Sequence, residues 1–480
     1  MSHRKQLLIG GVANLGNIAT GLTIGFSAVA LPAMQAAHHE PPVSDEQASW
    51  IASLISVSML LGCILVGPLL DRLGRRVTLI MVNIPSVFGW LIIALASQRH
   101  NWFLCQVYVG RLLTGLSSGC TNSPSVVYVS EVLDKDLRGL VVTWSSLGVS
   151  FGILLVYILG YFFQQNWRLI AGICTFLSSI SIVTARYLLP ETPVWLISRG
   201  RIRDAEVSMR LIRGVPQKQI LPESLQVELE TITTQSALQH SSNWRDELAF
   251  LKRPEAYKPI LIMNAFMFFQ QFSGIYVIIL YGVTIVQEIG ITFDPYIVTV
   301  IIGIIRLMMS LVISYASKRF GRRLLCTVSG VGMTFSMGAL AALLSLSQDV
   351  SHTWLLITAL ILFIVFCTIG FLPLPYAMIG EVFPLKIRGP ACSETMFMGA
   401  ILWFLVVKLF SSMKNWMGYY NVFAVYTGVI AIGTAVMYLY LPETQGKSLY
   451  EIEEAFRDYR KDVRNIELRD KSFTIQDTNI

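Results

Sequence analysis

The feature that most restricts this chain is a succession of apolar stretches long enough to cross a bilayer. A spanning helix needs about 20 mostly apolar residues, because it rises about 1.5 Å per residue against a hydrocarbon core about 30 Å thick. Such stretches lie near residues 7–31, 47–68, 77–97, 102–129, 140–162 and 168–189, and again near 259–287, 295–316, 324–346, 354–378, 391–413 and 418–441. Their order is six, a polar gap, then six. Only 14% of the residues are charged, where soluble domains carry about 25%, so a water-soluble multidomain chain is a poor reading. The expected fold class is all-α membrane, with twelve transmembrane helices in two pseudo-symmetric six-helix bundles and short cytoplasmic helices between them. The expected domains are an N-terminal bundle over 1–189, linker helices over 190–258, a C-terminal bundle over 259–441 and a cytoplasmic tail over 442–480. The first stretch is too long for a signal-peptide core and reads as a spanning helix.

Charge placement sets the orientation. His3, Arg4, Lys5, Arg72, Arg75, Arg76, Arg138, Lys318, Arg319, Arg322, Arg323, Lys386, Arg388, the central segment and the tail fall on one side; the opposite loops hold only Arg99, Arg168 and Lys414. The positive-inside rule then puts both termini and the central loop in the cytoplasm. The net charge of +7 is spread over these loops, so it does not point to nucleic acid. Seven cysteines without CxxC spacing and six histidines without metal-ligand spacing suggest neither a disulfide framework nor a metal site. No cofactor is expected, and no constellation of nucleophile and base points to an enzyme.

An internal repeat strengthens the two-bundle expectation. Gly74-Arg75-Arg76 recurs as Gly321-Arg322-Arg323, offset by 247 residues. Glu131 and Arg138-Gly139 recur as Glu381 and Arg388-Gly389, offset by 250, and Leu189-Pro190-Glu191-Thr192 recurs as Leu441-Pro442-Glu443-Thr444, offset by 252. Three motifs in one order at nearly one offset indicate a duplicated six-helix unit. Such a duplication places a cavity near mid-membrane on the pseudo-symmetry axis, and rocking the halves exposes it to each side in turn.

The chain resembles the sugar porter family of the major facilitator superfamily over about residues 10–455. The resemblance rests on Gly67 to Arg76, on Gly110-Arg111 with Gly115 and Gly119, on both Glu-x6-Arg-Gly motifs, on both Pro-Glu-Thr motifs and on Gln270-Gln271-Phe272-Ser273-Gly274. The branch it is most similar to is that of insect facilitated trehalose transporters. Physical roles can be assigned to the same residues. Asp71 can cap the third helix. Arg75, Arg76 and their counterparts Arg322 and Arg323 anchor the cytoplasmic surface. Glu131 can pair with Arg138, and Glu381 with Arg388; the resemblance implies that such pairs form a cytoplasmic latch, and topology-fixing charge is the alternative. Lys318 stands where the family has a loop acid, so the second latch is expected to be weaker or differently wired. Gly115 and Gly119 fit close helix packing.

For the cavity, amides offer donors and acceptors to hydroxyls without a buried charge. Gln270 and Gln271 match the family's helix 7 pair, with Gly274 and Tyr281 continuing their stripe, so a wet cavity is expected there. Elsewhere the pattern departs: Ser146 stands for the helix 5 glutamine, Tyr276 for the helix 7 asparagine, Tyr376 for the helix 10 tryptophan, and Gly399-Ala400 for the helix 11 pair. Pro373 and Pro375 predict a broken helix 10. Arg306 lies near the middle of helix 8, where a charge is costly and therefore a functional candidate. A cavity role, a structural pair with Glu394, and carbonyl or water contact all stay open. Lys408, near the outer end of helix 11, is expected to snorkel.

The expected activity is facilitative uniport of a sugar such as trehalose or a hexose. Helix 1 has no titratable side chain between Leu7 and Leu31, which argues against proton coupling. Alternatives are a carrier of another polar or anionic solute selected by Arg306, and a non-transporting sugar sensor, which the short tail disfavours. The expected partners are the solute and the lipid bilayer, with a monomer in the plasma membrane.

Overall fold

The computed structural model describes residues 3–36, 42–97, 102–215, 222–238, 253–316, 319–346, 353–384, 387–447, 451, 452, 454 and 456. Lys318, Lys386, Arg99 and most of the tail lie outside the described residues. Among the described residues the regular structure is helical. The first set of helices is α1 (His3–Gln35), α2 (Asp45–Leu73), α3 (Arg75–Met81), α4 (Ile84–Leu95), α5 (Phe103–Val132), α6 (Lys135–Val142), α7 (Trp144–Phe162) and α8 (Trp167–Leu188). Three short helices follow, α9 (Pro193–Ser198), α10 (Ile202–Arg213) and α11 (Glu223–Leu238). The second set is α12 (Pro254–Gln271), α13 (Ile275–Glu288), α14 (Pro295–Ala316), α15 (Arg322–Leu346), α16 (Thr353–Ile369), α17 (Leu374–Val382) and α18 (Arg388–Tyr440).

Ten helical segments among the described residues are long and apolar enough to cross a membrane. Two features explain why this differs from the expected twelve. The 30-residue α5 is long enough but carries Arg111 and many hydroxyl side chains. The 53-residue α18 is a single run interrupted at Gly418, whose φ of 75° and ψ of 167° are not helical. At about 1.5 Å per residue, 53 residues far exceed a bilayer core of about 30 Å, so a bend there is required in a membrane.

Sequence chemistry explains the local boundaries. Ser44 and Gln47 form a reciprocal capping box at the start of α2. Gly274 has φ +79°, a left-handed conformation that separates α12 from α13. A Cβ there would sit 2.5 Å from the Tyr426 ring. Helix 7 is therefore not continuous, and the expected stripe through Gly274 and Tyr281 does not hold. Gly274 backs onto Tyr426, and Tyr281, itself non-helical at φ −118°, packs its ring 5.0 Å from Phe410. The prolines act as expected at the second break: α16 ends at Ile369 and α17 begins at Leu374.

In the first set, α1 packs on α5, α7 and α8, α2 on α5, and α4 on α5 and α8; in the second, α15 packs on α16 and α18, α14 on α16, and α12 on α18. Gly115 of α5 faces the Ile55 backbone of α2, and Gly119 faces that of Met59. The sets meet along three seams, α1 with α13, α2 with α18, and α7 with α14.

Candidate functional site

The repeated motifs fold into two matching polar networks at one end of the molecule, the end bearing both Gly-Arg-Arg turns. In the first, Arg75 Nε and Nη2 donate to Glu131 at 3.0 and 2.8 Å, and Thr192 Oγ1 donates to Glu131 at 2.6 Å. The backbone N–H groups of Arg75 and Arg76 donate to Glu191 at 2.8 and 3.1 Å. In the second, Arg322 Nη2 donates to Glu381 at 2.9 Å and Thr444 Oγ1 at 2.6 Å, while the N–H groups of Arg322 and Arg323 donate to Glu443 at 2.8 and 3.1 Å. The carboxylates of Glu191 and Glu443 thus satisfy orphan donors at the starts of α3 and α15, where the helix dipole favours negative charge.

Three expectations are corrected here. Glu131 pairs with Arg75, and Glu381 with Arg322. Arg138 and Arg388 instead reach the carbonyls of Leu133 and Phe383. A residue seven positions downstream along a turn is aimed elsewhere, whereas the start of α3 is brought directly over the end of α5. Asp71 is exposed and does not cap α3; its carbonyl accepts from Trp195 and Arg199. The second network is wired like the first, because the family's loop acid, at the position of Asp71, takes no side-chain part in the first. Arg76 donates to the Arg186 carbonyl, and the Arg323 guanidinium lies 4.9 Å from the Tyr438 ring.

Burial works against the charge of Glu443, but the N–H groups of Gln445, Arg322, Arg323 and Thr444 outweigh it and hold its carboxyl below the ordinary value of 4.5. A depressed carboxyl stabilises the fold fully above that value and loses the contribution as pH falls through its folded pKa. Thermal melts of the solubilised protein should therefore drop below about pH 4.5. Glu443→Gln should start lower at neutral pH and lose less on acidification; equal pH slopes for the two proteins would refute this.

Deeper in the molecule a polar cluster lies within the second helix set. The break before α17 frees the Leu372 carbonyl, which accepts from Gln270 Nε2 at 2.9 Å. Gln271 Nε2 donates to Gln270 Oε1 at 3.1 Å, and Gln271 Oε1 is buried without a partner. The hydroxyls of Tyr276 and Tyr376 lie 3.2 Å apart, and the Tyr376 side chain lies beside both glutamines. The Tyr276 ring is 4.6 Å from Trp403, whose Nε1 is buried and unpartnered. Tyr376 keeps 39% of its surface accessible. Ser146 is exposed on α7, one turn from Ser150, which bonds Ser310 across the α7–α14 seam at 3.1 Å. The structure brings Gln270, Gln271, Tyr276 and Tyr376 together. Gly274 and Tyr281 lie behind them, and Ser146 lies along the seam.

Arg306 is 6% exposed, with Nε and Nη1 unpartnered. It does not pair with Glu394, which accepts from Asn264 at 3.0 Å. Lys408 does not merely snorkel: its Nζ donates to Ser49 at 2.8 Å and sits 4.1 Å from the Trp50 ring, tying α18 to α2. Gln164 with Asp294 at 3.3 Å, and Tyr157 with the Ile279 carbonyl at 2.7 Å, tie the sets at the same end. Trp403 and Tyr157 escaped the motif reading because no spacing links them to the glutamines. The helix 11 substitutions at Gly399-Ala400 hid an indole one turn further on.

Two packed sets of membrane-length helices, with a polar and partly unsatisfied cluster buried in the second, define a polytopic membrane protein. The chain belongs to the family described as sugar (and other) transporters, which it matches over residues 10–456. It is 32% identical over 455 residues to a facilitated trehalose transporter of Aedes aegypti, covering 93% of this chain but only 54% of that protein. A namesake from Culex quinquefasciatus is 31% identical, covering 94% of this chain and 85% of the relative. A facilitated glucose transporter, solute carrier family 2 member 8 of Bos taurus, is 31% identical, covering 94% and 95%. In fold, the chain is similar to the inward-open xylose transporter XylE of E. coli, with TM-score 0.78, 20% identity and coverage of 94% and 99%. These relatives are transporters, not enzymes, and the fold is the all-helical major facilitator fold.

Proposed function

We propose that this chain is a facilitative uniporter of a sugar or polyol, with trehalose and hexoses the first candidates, working by alternating access. The observation that carries the reading is the Gln271 carbonyl, buried without a partner beside an accessible Tyr376. An unfilled acceptor next to hydroxyl and amide donors suits a hydroxyl-bearing solute. Counting α18 as two spans about Gly418 and α5 as one brings the total to twelve. The basic end is assigned to the cytoplasm by the positive-inside rule. The ties through Lys408, Gln164 and Tyr157 join the sets toward the other end, and Ser314 with Thr143 joins them at the basic end. The two matched networks support a duplicated build of two bundles, and the plasma membrane is the proposed location.

The test is uptake into proteoliposomes of trehalose, glucose, fructose and a polyol. Saturable uptake of at least one is expected, unchanged by a protonophore when the membrane potential is clamped. Gln271→Leu should reduce that uptake by about tenfold or more, the scale of one lost hydrogen bond to a substrate in a buried site. Uptake that collapses with the protonophore would end the uniport reading, and a fully active Gln271→Leu protein would remove the glutamines from the path.

A further inference from the structure

We propose that Arg306 makes this carrier selective for an anionic polyhydroxylated solute, a sugar acid rather than a neutral sugar. The inference rests on the reading that the glutamine–tyrosine cluster lies on the solute path.

Two arginines are buried at membrane depth, and the fold treats them differently. Arg111 is 0% exposed. Its Nε donates to the Ile51 carbonyl at 3.1 Å, its Nη1 to the Thr23 carbonyl at 3.0 Å, and its Nη2 to Ser27. Each nitrogen has an oxygen acceptor, and the side chain knits α1, α2 and α5 together. Arg306 has no such arrangement: Nε and Nη1 are both buried and unpartnered. An uncompensated buried cation is among the costliest groups a fold can carry. Structural need accounts for Arg111 and does not account for Arg306.

The surroundings of Arg306 show where it is aimed. Gly303 and Ser310 flank it on one face of α14, three residues before and four after. Gly303 abuts Leu154 and Tyr157, and Ser310 bonds Ser150. That face therefore looks at the seam between the two helix sets. Tyr157, which Gly303 touches, donates to the Ile279 carbonyl on α13, three residues past Tyr276. Tyr276 in turn meets Tyr376 and Trp403. Glu394 on α18 accepts from Asn264 instead.

The unfilled donors include two guanidinium nitrogens and the Trp403 Nε1; the Gln271 Oε1 and the hydroxyls of Tyr281 and Tyr426 are unfilled as well. Each hydroxyl of a neutral sugar brings a donor along with its acceptor lone pairs. A carboxylate offers acceptors only, with a charge that a planar guanidinium can grip through two parallel hydrogen bonds. A polyol chain ending in a carboxylate would satisfy both the guanidinium and the single unfilled amide carbonyl.

The test compares matched pairs in proteoliposomes holding the unmodified protein: gluconate against glucitol, and glucuronate against glucose. Within each pair the charged member is expected to be taken up at least tenfold better at equal concentration, with the potential clamped. Arg306→Asn should shrink that ratio at least tenfold, and Arg306→Lys should retain a preference for the charged member. Equal or better uptake of the neutral members by the unmodified protein would overturn the inference and leave the sugar-carrier reading standing. Uptake of neither member of either pair would also overturn the inference, while trehalose or fructose uptake would keep the sugar-carrier reading. Because the primary comparison uses the unmodified protein, a variant that fails to fold does not decide it.

Discussion

Replacing Arg75 by alanine is expected to destabilise the protein by about 2–3 kcal/mol, somewhat less than removing one partner of a fully buried ion pair. Replacing Arg138, whose motif is equally prominent, should cost under about 1 kcal/mol, as for other exposed charges. The contrast follows from geometry. Arg75 and Glu131 are only 15% and 14% exposed, and Glu131 also accepts from Thr192 while Glu191 holds the backbone of Arg75. Removing the guanidinium leaves a mostly buried carboxylate facing a hydroxyl alone. Arg138 is exposed and reaches one carbonyl at 3.4 Å. Thermal melts of the two single variants, with Glu131→Gln and the Arg75→Ala/Glu131→Gln double variant, would show it. The double variant should recover part of the loss, because the uncompensated charge is gone. Equal losses for Arg75→Ala and Arg138→Ala would mean that the pairing runs through Arg138 after all.

Gly152→Val should leave almost no folded protein. Gly152 of α7 and Gly21 of α1 cross back to back, and a Cβ on Gly152 would overlap the Ile18 carbonyl oxygen, far inside van der Waals contact. A Cβ on Gly21 would meet the Val149 carbonyl in the same way. Backbone cannot swing aside as a side chain can, so the helices must separate. In a membrane, close approach of small residues is itself what holds helices together, and overpacking costs about 1–3 kcal/mol even where neighbours can yield. Size-exclusion profiles of detergent-solubilised protein should show aggregate or no material. Gly172→Val, where a Cβ meets nothing within 4 Å, is the control and should remain monodisperse. A monodisperse Gly152→Val protein would mean the α1–α7 contact is far looser than it is drawn here.

Much of this protein was legible because its solvent is a bilayer. The spanning stretches, the polar gap and the basic loops read directly from composition along the chain, since each segment must satisfy its own backbone and match one thickness. The repeat offsets exposed the paired networks, and the double glutamine falls in a buried polar cluster. What periodicity misjudged was local: Gly274 and Gly418 break helices that apolar runs suggest are regular or separate, and a hydropathy average cannot register a single positive φ.

Partners, in contrast, were decided by tertiary structure. Glu131 stands seven residues from Arg138 and 56 from Arg75, yet it pairs with the latter. Trp403, Tyr157 and Lys408 acquire their roles only when distant helices meet. The sequence determined that helices would span and roughly where, because the free energy of a lipid-facing segment depends on its own residues. Only the packed structure decided which charges find each other and which, like Arg306, do not, because those energies depend on the few ångströms between groups that the chain order does not encode.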